Sequence, residues 1–207
     1  MPKTCCIFAA GDYFGDGRYA ENADIIIAAD AGCLHAKRVG VKPTLYLGDF
    51  DSLGYVPDEN NVIRSKPEKD DTDTALAMAK AAECGCGRII VCGALGGKRL
   101  AHTIANIQNA AGFAKQGIRV LLTDGITNIE VFSNGSLDFS AKHSGYISVF
   151  SLSEKSEGVT LKGFKYELDN AVLKSTVALG VSNEFSGKSA NASVSDGTLA
   201  VMWREND

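Results

Sequence analysis

The 207-residue sequence predicts an α/β fold: a Rossmann-like parallel-sheet α/β domain first, then an antiparallel β-sandwich domain. Three observations carry this expectation. Up to about residue 125, short apolar runs alternate with helix-period segments, the pattern of α/β layers. Those runs are apolar throughout, as strands buried on both faces are. Beyond that point the helix-period segments stop, and short runs separated by Gly, Asn and Ser take over. The change falls between residues 124 and 134, giving domains 1–128 and 129–207.

The strand candidates of the first part are TCCIFAA (4–10), DIIIAA (24–29), TLYLG (44–48), RIIVCG (88–93) and IRVLLTD (118–124). Each is bounded by Gly, Asp or Pro. AGCLHAKRVG reads as a short helix stopping at Gly40. DTDTALAMAKAAECG places Ala75, Leu76, Met78, Ala79 and Ala82 on one helix face and stops at Gly85. RLAHTIANIQNAAGFAKQG is a longer helix ending at Gly117. In the second part, Asn134-Gly135 between alternating runs signals a hairpin, and GYISVFSLS, GVTLKGFKYEL, GVSNEF and NASVSDGTLAVMW continue as strands.

Composition narrows the function classes. The chain is 45% hydrophobic and carries a net charge of −4. A mild acidic excess offers no basic face for nucleic acid and no polybasic membrane patch. The N-terminal MPKTCCIFAAGDYFGDG lacks the long apolar stretch of a signal peptide and reads as a buried strand, so a cytoplasmic location is expected. Cys5, Cys6, Cys33, Cys84, Cys86 and Cys92 match neither a zinc ribbon nor a redox C-x-x-C. Buried reduced thiols fit a reducing compartment.

The carboxylates of the first domain are not scattered. Asp30 follows one strand; Asp49 and Asp51, in GDFDS (48–52), follow the next. Asp70, Asp71 and Asp73 precede a helix. Open parallel sheets bind ligands outside the carboxyl ends of their strands, so these loops are expected on one rim. Asp49 and Asp51, at i and i+2 of an extended loop, point to one side. Crowded carboxylates favour a cation, and Mg²⁺ takes one or two carboxylates plus phosphate oxygens. Simple turns and caps are the alternative for Asp30, Asp71 and Thr72. In GALGGKRLAH (93–102), Gly96 and Gly97 let backbone N–H groups approach phosphate before a helix N-terminus. Arg99, His102 and Asn106 share one face of that helix. Three acidic groups and one glycine-rich, basic group suit Mg²⁺-nucleotide chemistry, and the residues alone reach phosphoryl or pyrophosphoryl transfer.

The combination resembles the thiamine pyrophosphokinase family. ADAG (29–32), GDFDS (48–52), KDDTDT (69–74), GALGGKRLAHTIAN (93–106), GVTLKGFKYEL (158–168) and GVSNEF (180–185) follow the family's order of motifs over nearly the whole chain. The resemblance implies transfer of a pyrophosphoryl group from ATP to thiamine, giving thiamine diphosphate and AMP. It implies Mg²⁺, and a homodimer with active sites at the subunit interface. It makes 1–128 the nucleotide-binding catalytic domain and 129–207 the thiamine-binding domain. Asp49, Asp51 and Asp73 are then the metal and catalytic carboxylates, joined by His102. Asp30, Asp70, Thr72, Gly96, Gly97, Arg99 and Asn106 face the nucleotide. Ser182 and Asn183 help form the thiamine pocket, and Trp203 stacks on a thiamine ring or is a core aromatic. Three departures stand out: Ala101 where the family has an Asp before the His, an inserted Lys98, and Ala31 for a glycine of A-D-G-G. Two rival functions remain at this point: a pyrophosphokinase for another hydroxymethyl heterocycle such as a pterin, and a non-catalytic nucleotide- or thiamine-binding protein.

Overall fold

The computed structural model describes residues 2–51, 53–57, 61–65, 71–97 and 100–204. The protein is a mixed α/β structure with a many-stranded sheet and few helices. Two compact units emerge: Met1–Asn109 with Val120–Gly125, and Ala110–Arg119 with Ile126–Asp207.

In the first unit the strands are β1 (Thr4–Phe8), β2 (Ile25–Ala29), β3 (Leu45–Gly48), β4 (Val62–Arg64), β5 (Arg88–Cys92) and β6 (Arg119–Thr123). Their order across the sheet is β4-β3-β2-β1-β5-β6, and the pairings from β4 to β5 are parallel. The helices are α1 (Gly32–Arg38), α2 (Asp73–Glu83) and α3 (Leu100–Ala114), the last of which belongs to this unit up to Asn109. The continuous apolar strands are the buried middle of this sheet. Cys5, Cys6, Ile7 and Phe8 of β1 are fully enclosed, as are Ile89, Val91 and Cys92 of β5. Ala77, Met78 and Ala81 of α2 are fully buried too, so an alanine-rich face lets the helix lie close on β1, β2 and β3. All five predicted strands and three predicted helices are present. The structure adds β4, a three-residue edge strand with two exposed positions, too short and too polar to stand out in sequence.

Gly32 sets the joint between strand and helix. A Cβ there would collide with the carbonyl of Phe8, so only glycine lets α1 start against the end of β1. Ala31, by contrast, has an ordinary helical conformation (φ −62°) and accommodates its methyl. The departure from A-D-G-G therefore falls at the position that does not require glycine.

The second unit contains β7 (Thr127–Phe139), β8 (Tyr146–Ser151), β9 (Lys155–Lys162), β10 (Leu168–Lys174), β11 (Gly180–Glu184) and β12 (Ala190–Arg204). Its order is β10-β9-β12-β7, with β8 on β12 and β11 on β8, and the pairings within the unit are antiparallel. Asn134-Gly135 is not a hairpin. β7 runs straight through it, because the partner β12 bulges opposite, between Val194 and Thr198. Asn134 takes φ +49° and its Oδ1 accepts the Gly197 N–H at 2.9 Å. The Asn-Gly pair thus serves a strand bend, where sequence rules read a chain reversal.

Among the described residues no helix is long and apolar enough to cross a membrane. All six cysteines are free thiols, four of them buried. Because the Gly32–Phe8 contact leaves no room for a methyl, Gly32→Ala is expected to destabilise the protein by about 3 kcal/mol, read as a lowered thermal midpoint. An unchanged midpoint would refute the close-contact account.

Candidate active site

The rim expected from the sequence forms at the carboxyl ends of the strands. Asp30 follows β2, Asp49 follows β3, and Asp73 opens α2. One carboxylate oxygen from each lies within 4.8 Å of the others. Asp30 sits in the left-handed region (φ +48°), which Asp tolerates better than most residues. Its N–H donates to Leu47 O at 2.8 Å, tying it to β3. A Cβ on Gly48 would lie 3.1 Å from the Asp30 Cα, so the glycine of GDFDS is what lets the two strand ends close up. Asp73 occupies the first turn of α2, where the helix N-terminus favours negative charge. The Ser65 hydroxyl, just beyond β4, donates to Asp73 Oδ1 at 2.9 Å.

Asp51 does not join this group. The sequence reading assumed an extended loop, but Phe50 takes φ +62° and buries its ring against Ala28 and Tyr46. Such a conformation costs about 1–3 kcal/mol and persists because burial of the ring holds it. The turn it creates breaks the alternation, and Asp51 is exposed, its N–H donating to Asp49 Oδ1 at 3.1 Å. The acidic group is therefore Asp30, Asp49 and Asp73, rather than Asp49, Asp51 and Asp73.

The trio fits a hard divalent cation. Its donors are all oxygen, and Asp30 Oδ1 is buried without a hydrogen-bond partner among the described residues. Burial pushes the neighbouring Cys33 thiol up, and the Asp30 charge adds to this.

Beside the trio lies a cleft of about 400 Å³. Ala31 and Thr74, neighbours of Asp30 and Asp73, line one part; Gly93, Gly96, Gly97 and His102 line another. Gly96 (φ +65°) and Gly97 (φ +79°) form two successive left-handed steps, a turn that side chains resist. Asn106 reaches the cleft, but its Nδ2 donates to Ala94 O at 2.7 Å, and the residue is buried. It ties α3 to the glycine-rich turn. Thr72 caps α2, its Oγ1 accepting the Ala75 N–H at 3.1 Å, as the plainer expectation had it. Asp70, Arg99 and Lys98 lie outside the described residues. Sequence reasoning missed Asp12, whose Oδ2 accepts the Gly97 N–H at 2.6 Å, and Ser65. Asp12 lies in the loop after β1, so the rule that singled out the other loops applied to it as well.

In the second unit, Ser182 is exposed at φ +59° on β11, its N–H donating to Ser148 Oγ at 3.1 Å. Asn183 is buried and held by backbone groups. Its Oδ1 accepts the N–H groups of Tyr166 and Glu184, and its Nδ2 donates to Tyr166 O at 2.6 Å. It fixes backbone rather than facing solvent. Trp203 is 8% exposed and packs edge-on against Phe139, with ring centroids 5.3 Å apart, among Phe164 and Phe185. At 8% exposure the ring is buried, as the core-aromatic alternative has it.

If the trio is the cation site, Asp30→Asn or Asp49→Asn should weaken Mn²⁺ binding at least about tenfold, the loss of one charged ligand. Asp51→Asn should leave it within about threefold. A titration in which Asp51→Asn matters most would reverse the assignment.

Comparison with known proteins converges on one family. The family model described as thiamin pyrophosphokinase, catalytic domain, matches residues 17–122, and that of the thiamin pyrophosphokinase vitamin B1 binding domain matches 136–199. A thiamine pyrophosphokinase from Bacillus subtilis is 31% identical over 197 residues, covering 91% of each chain. The crystal structure of the thiamine pyrophosphokinase from Bacillus subtilis aligns with a TM-score of 0.84 at 30% identity, covering 99% of this chain and all of that one. The thiamin pyrophosphokinase of Geobacillus thermodenitrificans aligns at 0.80 and 28% identity, covering 99% and 98%. With two family models spanning most of its length and a relative of this identity along nearly all of it, the chain belongs to the thiamine pyrophosphokinase family.

Proposed function

We propose that the protein is an ATP-dependent thiamine diphosphokinase. The thiamine hydroxyl oxygen attacks the β-phosphorus of ATP, the bond between that phosphorus and the α–β bridging oxygen breaks, and AMP leaves as the hydroxyl proton is lost. The observation that carries this reading is the trio Asp30, Asp49 and Asp73 at the edge of a glycine-lined cleft, in a chain of this family.

Asp30, Asp49 and Asp73 would hold Mg²⁺, which when bound supplies positive charge beside the phosphate oxygens. The chain's own groups then position the reactants. The glycine-rich turn at Gly96–Gly97 and His102 face the phosphates, and the family resemblance adds Arg99 and Asp70 to them. Asp73, anchored by Ser65 and the start of α2, orients the thiamine hydroxyl. Ala101 stands where the family has an Asp, but Asp30, Asp49 and Asp73 are all present, which favours an active enzyme over a non-catalytic binder.

Residues 1–128 form the Rossmann-like nucleotide-binding domain and 129–207 the β-sandwich thiamine-binding domain, with Ser182 among the thiamine contacts. Two copies pair so that each active site lies at the interface. Exposed Val172, Val177, Leu179 and Val181, around β10 and β11, are apolar surface suited to such pairing. Free, mostly buried thiols agree with a cytoplasmic enzyme.

The purified protein should sediment as a dimer and release AMP from Mg-ATP only when thiamine is present. Asp73→Asn should lower turnover at least about a hundredfold while weakening ATP binding far less, as loss of a positioned catalytic group does. Chelation with EDTA should abolish AMP release and fresh Mg²⁺ restore it. AMP release with a pterin but not with thiamine would overturn the substrate assignment.

A further inference from the structure

The glycine-rich turn does not hold its shape alone. Two segments are stitched together across the end of the sheet: Gly11–Asp12 after β1, and Gly93–Gly97 after β5. Gly11 N–H donates to Gly93 O at 2.8 Å, and Asp12 N–H to Leu95 O at 3.1 Å. The third stitch is a side chain, with Asp12 Oδ2 accepting the Gly97 N–H at 2.6 Å, a short charge-assisted bond. The fit is mutual, since a Cβ on Gly96 would lie 2.6 Å from that same oxygen.

The segment carrying Asp12 is fastened independently from α1. His35 Nε2 bonds Gly11 O at 2.8 Å, and Arg38 Nη2 donates to the carbonyls of Tyr13 and Gly15, each at 3.0 Å. Phe14 N–H adds a bond to Asp124 O at 2.6 Å. Asp12 is thus held in place, and the turn docks onto it. Without the latch, two consecutive glycines in left-handed conformations have broad alternatives open to them.

We propose that Asp12 is a positioning residue for nucleotide binding: its carboxylate latches Gly97 and so preorganises the turn that receives the ATP phosphates. This rests on the reading of the cleft as a phosphate site. Asp12 lines the cleft, and the oxygen it turns toward Gly97 is spent on the backbone. Its effect is to remove the ordering that a loose turn would undergo on binding. The acid also explains why a negative side chain is tolerated beside a site for anions, since its charge is directed at a backbone donor.

The test is calorimetric titration of full-length protein with Mg²⁺ plus ATP, and separately with thiamine. Asp12→Ala should weaken Mg-ATP binding about tenfold, the size of one lost charge-assisted bond. Asp12→Asn, whose amide oxygen accepts the same N–H, should stay within about threefold. Thiamine affinity should be unchanged in both. Equal loss of ATP and thiamine binding with a lowered thermal midpoint would mark a merely structural role and overturn the proposal. Unaltered or tighter Mg-ATP binding by Asp12→Ala would also overturn it. If the wild type binds Mg-ATP yet releases no AMP with thiamine, the diphosphokinase reading fails while the latch still stands or falls on the binding data.

Discussion

Three carboxylates brought within 4.8 Å of one another are the constraint on which the rest of the first unit depends. At an effective dielectric of about 20, each such pair repels by roughly 3 kcal/mol. A protein does not arrive at that arrangement by default. Here the residues come from the ends of two adjacent parallel strands and the start of a helix, so the sheet order β4-β3-β2 is what makes the meeting possible. Backbone in sparsely populated conformations, Asp30 at φ +48° and Phe50 at φ +62°, then fixes the side chains. The buried Phe50 ring holds the second of these, and the α2 N-terminus and Ser65 steady Asp73.

A cation would offset this repulsion, and the oxygen-only donor set suits a hard one. The same geometry bears on the departures from the family pattern. Ala31 sits where an ordinary helical conformation tolerates a methyl, while the adjacent Gly32 admits none. Ala101 is exposed on the first turn of α3, between exposed Leu100 and Ile104, and the trio forms without it. Ala101 leaves one carboxylate of the family pattern absent, while Asp30, Asp49 and Asp73 are all present.

Much of this was legible in the sequence. The strands of the first unit announce themselves because burial on both faces demands unbroken apolar runs, and the helices because they end at Gly40, Gly85 and Gly117. The rim followed from a rule of parallel sheets rather than from any single motif. What stayed hidden was set by contacts distant in sequence. Asp51 was grouped with Asp49 because nothing in GDFDS reveals that Phe50 turns left-handed to bury its ring. Asn134-Gly135 looked like a hairpin because the bulge it answers lies about sixty residues later, at Gly197. Asn183 and Asn106 have the composition of ligand-binding residues, yet both spend their amides on backbone. Trp203, the only tryptophan, joined an aromatic core whose members are scattered from Phe139 to Phe185.

Everything proposed for the site requires that Asp30, Asp49 and Asp73 together hold the metal. Anomalous diffraction from crystals grown with Mn²⁺ and a non-hydrolysable ATP analogue tests it most directly. The expected result is a manganese peak coordinated by oxygens of all three carboxylates, with Asp51 outside its coordination sphere. A peak coordinated by Asp51 in place of Asp30, or none at the trio in crystals that contain the bound nucleotide, would contradict it.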